Sequence, residues 1–532
     1  MTPFTRTLFL EIDSGDKVLI RRWAEDGTLR TFRRLLDNGL VGDTKSVDGF
    51  FVGATWPSLY TGVSPARHGF HSLMQLRCGT YDFYRTKPGE DVRHEPFWSA
   101  MSRAGKRVAI LDVPLSSLSD GLNGAQTVEW GVHDAVYGFR AQPESLAREI
   151  LDKVGPHPIK GLCNSYGRSP QDFRMLRDDL VEGVRKKAEW TRDLLRRGEW
   201  DFFCQVFSEA HCVGHQCWHF HDEASPGHDP ELARQVGDPI KDVYVALDEA
   251  VGAILSEVGD DTLVVVLAGH RMAHKYGAQL MLPEILESLG VANKAAPRQR
   301  PATKAALDSV LTAAWQQVPS SIKSGLRGLQ HRTREWVTEA HLTMAPHLAA
   351  LDRRTSHCFV MDNGFPVSGL RVNVIDREPQ GLVRRGGELD GFCRQLTADL
   401  EALVHVDSGL RLVSRVRRTS DVYEGPYLDW LPDLLVEWNE DVRLGSATCG
   451  NPRGSVMRID SPKTGELSAV NNYPRTGDHR PDGLFMAQGP HVSPGRMNRT
   501  VSLMDFAPTF AESVGVRLPD VDGRRIEELA PR

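Results

Sequence analysis

The chain has 532 residues, of which 40% are hydrophobic and 25% charged, with 64 basic against 70 acidic side chains and a formal net charge of -6. That length excludes a small stapled scaffold and suffices for one large catalytic unit with insertions or for two to three domains. The nearly balanced charge does not point to a nucleic acid polymer or an anionic membrane surface as partner, and none is expected.

In chain order, short apolar runs alternate with amphipathic segments, the pattern of parallel strands linked by helices. Thr7 to Ile12 reads as a strand, Leu29 to Asn38 as a helix, Arg107 to Leu111 and Asp201 to Phe207 as strands. Phe173, Leu176, Leu180, Val184, Ala188, Thr191 and Leu195 keep helical spacing, with Gly198 as the expected C-terminal cap. Leu263 to Leu267 is a continuous apolar run of the kind buried on both faces of a sheet. Residues 290–351 turn polar, Ala-rich and basic, and are expected to form a helical insertion or lid between a first part, 1–289, and a second part, 352–532, of one α/β domain. Leu370 to Val374, Leu434 to Trp438 and Gly483 to Ala487 read as strands of the resumed sheet, and the basic run Arg411 to Arg418 as a solvated face. The opening segment passes directly into a strand, and no window approaches the ~18 apolar residues of a membrane span, so a cytoplasmic protein without a membrane partner is expected. The eight cysteines never form CxxC pairs and fit reduced thiols better than a disulfide framework.

The residues that could carry chemistry cluster after strands. Asp13 closes the opening strand, where open α/β sheets place ligands. Thr55, followed by Trp56 and Pro57, suits a helix N-terminus, where a hydroxyl and free N–H groups can meet a phosphate. The richest stretch is FSEAHCVGHQCWHFHD: His211 and His215, four apart, share one face of a helix and can bind one ion together, while Glu209 is a candidate further ligand and His219 and His221 are peripheral. His270 and His479 each follow or end an apolar strand. An Asp, several strand-end histidines and a hydroxyl at a helix start make a plausible metal site.

With these segments in hand, the chain resembles the type I phosphodiesterase and nucleotide pyrophosphatase branch of the alkaline phosphatase superfamily. The opening strand with Asp13, TGVSPARHGF, KRVAILDVP, GLRVNVIDREPQGLV, YEGPYLDWLPDLLVEW, GDHRPDGLFMAQGP and the closing LMDFAPTFAESVGVRLPDVDG agree with it in order. The resemblance implies an alkaline phosphatase-like, mostly parallel sheet flanked by helices. It also implies one or two divalent ions, zinc first with manganese or iron as alternatives, and a small-molecule phosphate ester as substrate. Asp13 and His270 would serve one ion, His215 and His479 the other, with His211 a further ligand and Thr55 the nucleophile.

Two departures stand out. Where the family has Asp four residues before the helix histidine the chain has His211, and where it reads Asp-His-Gly the chain reads Gly269-His270-Arg271. Two carboxylates are replaced, leaving His211, His215 and His479 as a three-histidine set suited to zinc, iron, cobalt or manganese. The Thr-x-Pro segment also lies closer to Thr61-Gly62 than in the family, and alignment on Thr61-Gly62 puts Val52 in the nucleophile slot. The expected function is therefore a metal-dependent phosphoric ester hydrolase of phosphodiesterase or nucleotide pyrophosphatase type. The alternatives are an inactive metal- or ligand-binding relative and a sulfatase or group transferase on the same fold.

Overall fold

A computed structural model describes residues 6–159, 169–296 and 346–530. Its centre is a ten-stranded sheet. From one edge the strands are Gly495–Arg496, Leu40–Lys45, Asp482–Gln488, Thr262–Ala268, Arg6–Ile12, Phe202–Phe207, Val108–Leu111, Gly124–Val128 and Arg140–Gln142, with Val501–Ser502 also beside Leu40–Lys45. The opening strand runs parallel to both its neighbours, and Phe202–Phe207 continues parallel to Val108–Leu111. Asp482–Gln488 is antiparallel to both of its neighbours, so the sheet is mixed but mostly parallel.

Strand position follows composition. Every residue of TLVVVLA, 262–268, is buried, as a central strand covered on both faces requires. On one face Leu8, Leu10 and Ile12 pack with Leu180 and Val184 of the Pro170–Arg196 helix and Val243 and Leu247 of Pro239–Leu255. On the other, Phe9, Val265 and Leu267 pack with Phe506 and Phe510 of the Phe506–Ser513 helix. The long helix begins at a capping box between Ser169 and Asp172, with Pro170 at its first turn. It ends at Arg196 with Arg197 as cap, so Gly198 does not cap it; that glycine lies where a Cβ would meet the Arg107 guanidinium at 2.4 Å.

The sheet resumes later than the sequence pattern suggests. Val367–Val372 and Leu434–Trp438 are strands, but they belong to a separate four-stranded antiparallel sheet with Cys358–Met361 and Val413–Arg418. That sheet has its own core, in which Leu370 and Leu434 pack with Ile285 and Leu396. Apolar runs of this length do not say which sheet they join. Asp482–Gln488 does return to the central sheet. Of the expected helical insertion, residues 297–345 lie outside the described residues; its two ends meet where Lys294 bridges Leu351. The basic run forms an edge strand whose Arg415 pairs with Glu437 and Arg418 with Asp390. No described helix is long and apolar enough to cross a membrane.

The fold also buries neutral histidines away from the central cluster. The Phe70 N–H donates to His68 Nδ1, leaving His68 Nε2–H to donate to Ser58 Oγ at 2.9 Å. Burial pushes His68 and His71 down to about 3. A folded-state pKa below the unfolded value of about 6.5 means stability that is fully present above that pH and lost as pH falls towards 3. Each such histidine is expected to remove up to about 1.4 kcal/mol of stability per pH unit across that window. His68→Gln should flatten the dependence by about that slope in urea unfolding of the metal-free protein at pH 4 to 6. An unchanged slope would show that His68 does not carry it.

Candidate metal centre

Asp13 is held at the carboxyl end of the opening strand, its N–H donating to the Phe207 carbonyl at 2.9 Å. The next residue, Ser14, adopts a left-handed backbone (φ 58), which turns the chain sharply and puts its hydroxyl inside the site. Ser14 Oγ lies 3.0 Å from His270 Nε2, 3.3 Å from His479 Nδ1 and 3.4 Å from Asp13 Oδ1.

His211 and His215 stand one turn apart on the Glu209–His221 helix, which follows directly on the Phe202–Phe207 strand. His479 comes from Gly477–Arg480, which pairs antiparallel with Arg271–His274 so that Met272 faces His479. Two glycines allow that strand pair to press on the helix. A Cβ on Gly477 would sit 2.2 Å from the Gly214 carbonyl oxygen, and one on Gly214 would sit 2.6 Å from Met272 Cγ. The contact is sealed by Thr476 N–H donating to the His215 carbonyl at 2.8 Å.

The result is a buried triad, His211, His215 and His479, whose candidate ligand atoms lie within 4.8 Å of one another. His215 Nδ1 is 2.8 Å from the Gly477 carbonyl, which can only accept, so Nδ1 carries the proton and Nε2 presents a lone pair. That Nε2 is 3.1 Å from His479 Nε2, close to the ~3.3 Å that separates two nitrogens bound to one tetrahedral zinc. Burial holds all three imidazoles well below the usual histidine range, so they are neutral, the protonation state a metal requires. The donor set therefore fits a divalent ion. One cation already approaches it: Arg475 Nη1 lies 3.2 Å from His215 Nε2.

The sequence pattern overlooked His133 and Asp134, in a loop just beyond the Gly124–Val128 strand. His133 Nε2 is 3.0 Å from Asp13 Oδ2, and His133 Nδ1 is 3.0 Å from Asp134 Oδ2. Burial opposes charge on His133, but the bonds to Asp13 and Asp134 outweigh it and push the imidazole up to about 10. The His133 ring stacks on His211 at 3.6 Å, and Asp13, His133 and His211 form a second group with ligand atoms within 4.8 Å. A His-Asp pair following a strand was the available signal; the strand itself, GAQTV, is too short and polar to stand out.

The other expected residues fall in different places. His270 lies beside Asp13, its Nε2 3.7 Å from Oδ1. Glu209 does not face the metal cluster: it is buried against Lys187 at 3.2 Å and His157 at 3.1 Å. His219 bonds Thr476 and His221 bonds Asp238, outside the cluster as expected. Thr55 does begin a helix, Thr55–Thr61, but its hydroxyl donates to the Phe51 carbonyl at 2.7 Å and meets Ser46 Oγ at 2.6 Å, with no hydrogen bond to any of the histidines.

The absence of an acid at Gly269 has a structural counterpart. A Cβ there would lie 3.0 Å from Leu503 Cδ2 and 3.2 Å from Glu11 Oε1. Glu11 is fully buried with neither oxygen hydrogen-bonded, and burial first, then the neighbouring Asp13, raises its pKa well above the usual range. A carboxyl group from the adjacent strand thus borders the space an acid at 269 would have entered.

A family model described as type I phosphodiesterase / nucleotide pyrophosphatase matches residues 7–341. Phosphonoacetate hydrolase from Sinorhizobium meliloti 1021 in complex with phosphonoformate is similar with a TM-score of 0.50 and 16% identity, covering 96% of this chain and 95% of that one. Wild-type alkaline phosphatase PafA is similar with a TM-score of 0.50 and 13% identity over 100% of both chains. Murine ectonucleotide pyrophosphatase / phosphodiesterase 5 in complex with AMP has a TM-score of 0.47 and 10% identity, covering 99% and 100%. No curated protein matches the sequence. The first two structures share the alkaline phosphatase-like fold.

Proposed function

Because the chain belongs to the type I phosphodiesterase / nucleotide pyrophosphatase family, a family of phosphoester hydrolases, we propose that it is a metal-dependent hydrolase of small phosphate esters, of phosphodiesterase or nucleotide pyrophosphatase type. The observation that carries the reading is the neutral, buried triad of His211, His215 and His479 beside Asp13 and His270. These histidines would hold a divalent ion, zinc above all by the chemistry of an all-imidazole set. When bound, such an ion polarises phosphoryl oxygens and stabilises the charge that develops on them.

The chain's own groups would do the rest. Arg475, whose Nη1 lies 3.2 Å from His215 Nε2 at the edge of the triad, is placed to meet an anionic phosphoryl oxygen, for which a guanidinium is well suited. Thr55 is the hydroxyl that the Thr-x-Pro pattern assigns to attack on phosphorus, forming an Oγ–P bond as the ester oxygen leaves and yielding a phospho-enzyme for water to hydrolyse. A second reading gives the attack to Ser14, on one specific observation: its hydroxyl lies within hydrogen-bond range of both the His270 and the His479 ring. In that reading the strained backbone at Ser14 aims the nucleophile.

Single variants separate the two. With bis-p-nitrophenyl phosphate as substrate, Thr55→Ala is expected to lower kcat by about a thousandfold or more, equivalent to about 4 kcal/mol, and to abolish burst-phase phospho-enzyme. Near-normal turnover in Thr55→Ala with loss in Ser14→Ala would transfer the role to Ser14. Full activity in both would leave no protein hydroxyl as nucleophile. A folded, metal-loaded wild type that turns over neither diesters nor monoesters nor nucleotide pyrophosphates would overturn the hydrolase reading.

A further inference from the structure

We propose that Phe365, on the turn joining the first two strands of the second sheet, positions the Arg475 guanidinium at the triad through the ring of Tyr473. The proposal rests on the reading of Arg475 as the cation that meets a phosphoryl oxygen, and it adds the residues that aim that cation.

An arginine must be held if it is to present one nitrogen at a fixed point, because its long stem otherwise spreads over many rotamers. Arg475 is only half-buried, yet its Nη1 stands 3.2 Å from His215 Nε2. Its backbone is fixed on the Glu209–His221 helix. Pro474, with its restricted φ, precedes it; the Pro474 carbonyl accepts from Gln216 Nε2 at 3.2 Å, and the Thr476 N–H donates to the His215 carbonyl at 2.8 Å. The side chain is aimed by rings. The guanidinium carbon lies over the Tyr473 ring, 5.6 Å from its centre, where the negative face of the ring attracts a cation. Tyr473 stacks in turn on Phe365, with centroids 4.7 Å apart and planes 29° apart. The Lys275 ammonium lies over the Phe365 ring at 3.8 Å and is held there by Asp478 at 2.7 Å. Asp478 is the neighbour of His479, so the rings that aim Arg475 and the strand that carries a triad histidine share one anchor.

The turn that delivers Phe365, residues 362–366, lies between Cys358–Met361 and Val367–Val372 and is gripped from two sides. Buried Asn363 donates through Nδ2 to the Gly49 carbonyl at 2.7 Å and to the Val367 carbonyl at 3.1 Å. Gly364, left-handed (φ 87), packs so closely on Val52 that a Cβ would sit 2.9 Å from the Val52 Cβ. Across the turn, a Cβ on Gly277 would lie 2.5 Å from the Phe365 carbonyl oxygen. The second sheet thereby reaches the candidate site through a single ring whose backbone is locked, as a positioning residue requires.

The test is binding of inorganic phosphate to the zinc-loaded full chain by calorimetry, beside zinc content and kcat and KM for bis-p-nitrophenyl phosphate. Phe365→Ala is expected to weaken phosphate about tenfold and to raise KM by a similar factor, with kcat within about threefold, the pattern of lost uniform binding. Zinc content should stay at the wild-type level. Phe365→Tyr, which keeps the ring, should bind phosphate within about twofold of wild type, whereas Phe365→Leu, which keeps bulk without the ring, should behave as Phe365→Ala. In an Arg475→Ala background, itself at least about tenfold weaker, adding Phe365→Ala should cost less than about twofold more, because the two residues act as one unit. A merely structural Phe365 would lower zinc content or multiply its full effect onto Arg475→Ala, and either result would overturn the proposal. Unchanged phosphate affinity in Phe365→Ala, or in Arg475→Ala, would also overturn it. A wild type that binds phosphate with this pattern but turns over no ester would uphold the positioning role and overturn the hydrolase reading. A wild type that binds no phosphate would overturn both.

Discussion

His215→Ala is expected to abolish cleavage of phosphate diesters, by about a thousandfold or more, and to strip the triad of its ion. His215 is the most constrained member of the cluster. Its ring is fully buried, its Nδ1–H is committed to the Gly477 carbonyl, and its Nε2 presents a lone pair 3.1 Å from His479 Nε2 and 3.2 Å from Arg475 Nη1. Truncation removes a ligand and leaves the Gly477 carbonyl without its donor, a stability cost of about 1–3 kcal/mol. The check is zinc content beside kcat on protein whose circular dichroism matches wild type. Unchanged metal content would dismiss His215 as a ligand, whatever happens to the rate.

The largest expected effect on stability is at Lys187. Its side chain is completely buried, with Asp112 at 3.3 Å, Glu209 at 3.2 Å and the carbonyl oxygens of Gly131 and Val206 at 3.1 and 3.3 Å. Burial alone would drive the ammonium towards neutrality, but Glu209 and then Asp112 outweigh it and raise its pKa. Lys187→Met leaves two buried carboxylates facing each other without their cation, and breaking a buried charge group in this way costs about 3–5 kcal/mol. The variant should therefore show a lower denaturant midpoint. A destabilisation under about 1 kcal/mol would mean that Asp112 and Glu209 take up protons at little cost and that the cluster is not a structural anchor.

Lys187 also explains the fate of Glu209. Two residues before His211 on the same helix, it reads from the sequence as a candidate further ligand. A helix turns about 100° per residue, so positions two apart face away from each other. Glu209 accordingly points to Lys187 and His157 beneath the helix, whereas His215, four residues on from His211, lies on the same side.

How far the sequence reaches can be read from these particulars. Periodicity and composition located the opening strand with Asp13, the buried run at 262–268, the long helix from Pro170 and the four-residue spacing of His211 and His215, because local physics dictates each of them. The order of several segments located the family. Tertiary structure alone decided which strands share a sheet, since Val367–Val372 and Leu434–Trp438 carry no mark in their own residues that they pair with each other rather than with the centre. It alone decided where hydroxyls and histidines from distant segments meet. Thr55 bonds its own turn, Ser14 is turned inward by a left-handed backbone, and His133 arrives from a loop more than a hundred residues from Asp13. Side-chain spacing along one helix or strand is a property of the local chain. Convergence of separate segments depends on loop anchoring by groups such as Asp112, Glu129 and Lys187, and on close approach at Gly214 and Gly477, and neither is written in any single stretch of sequence.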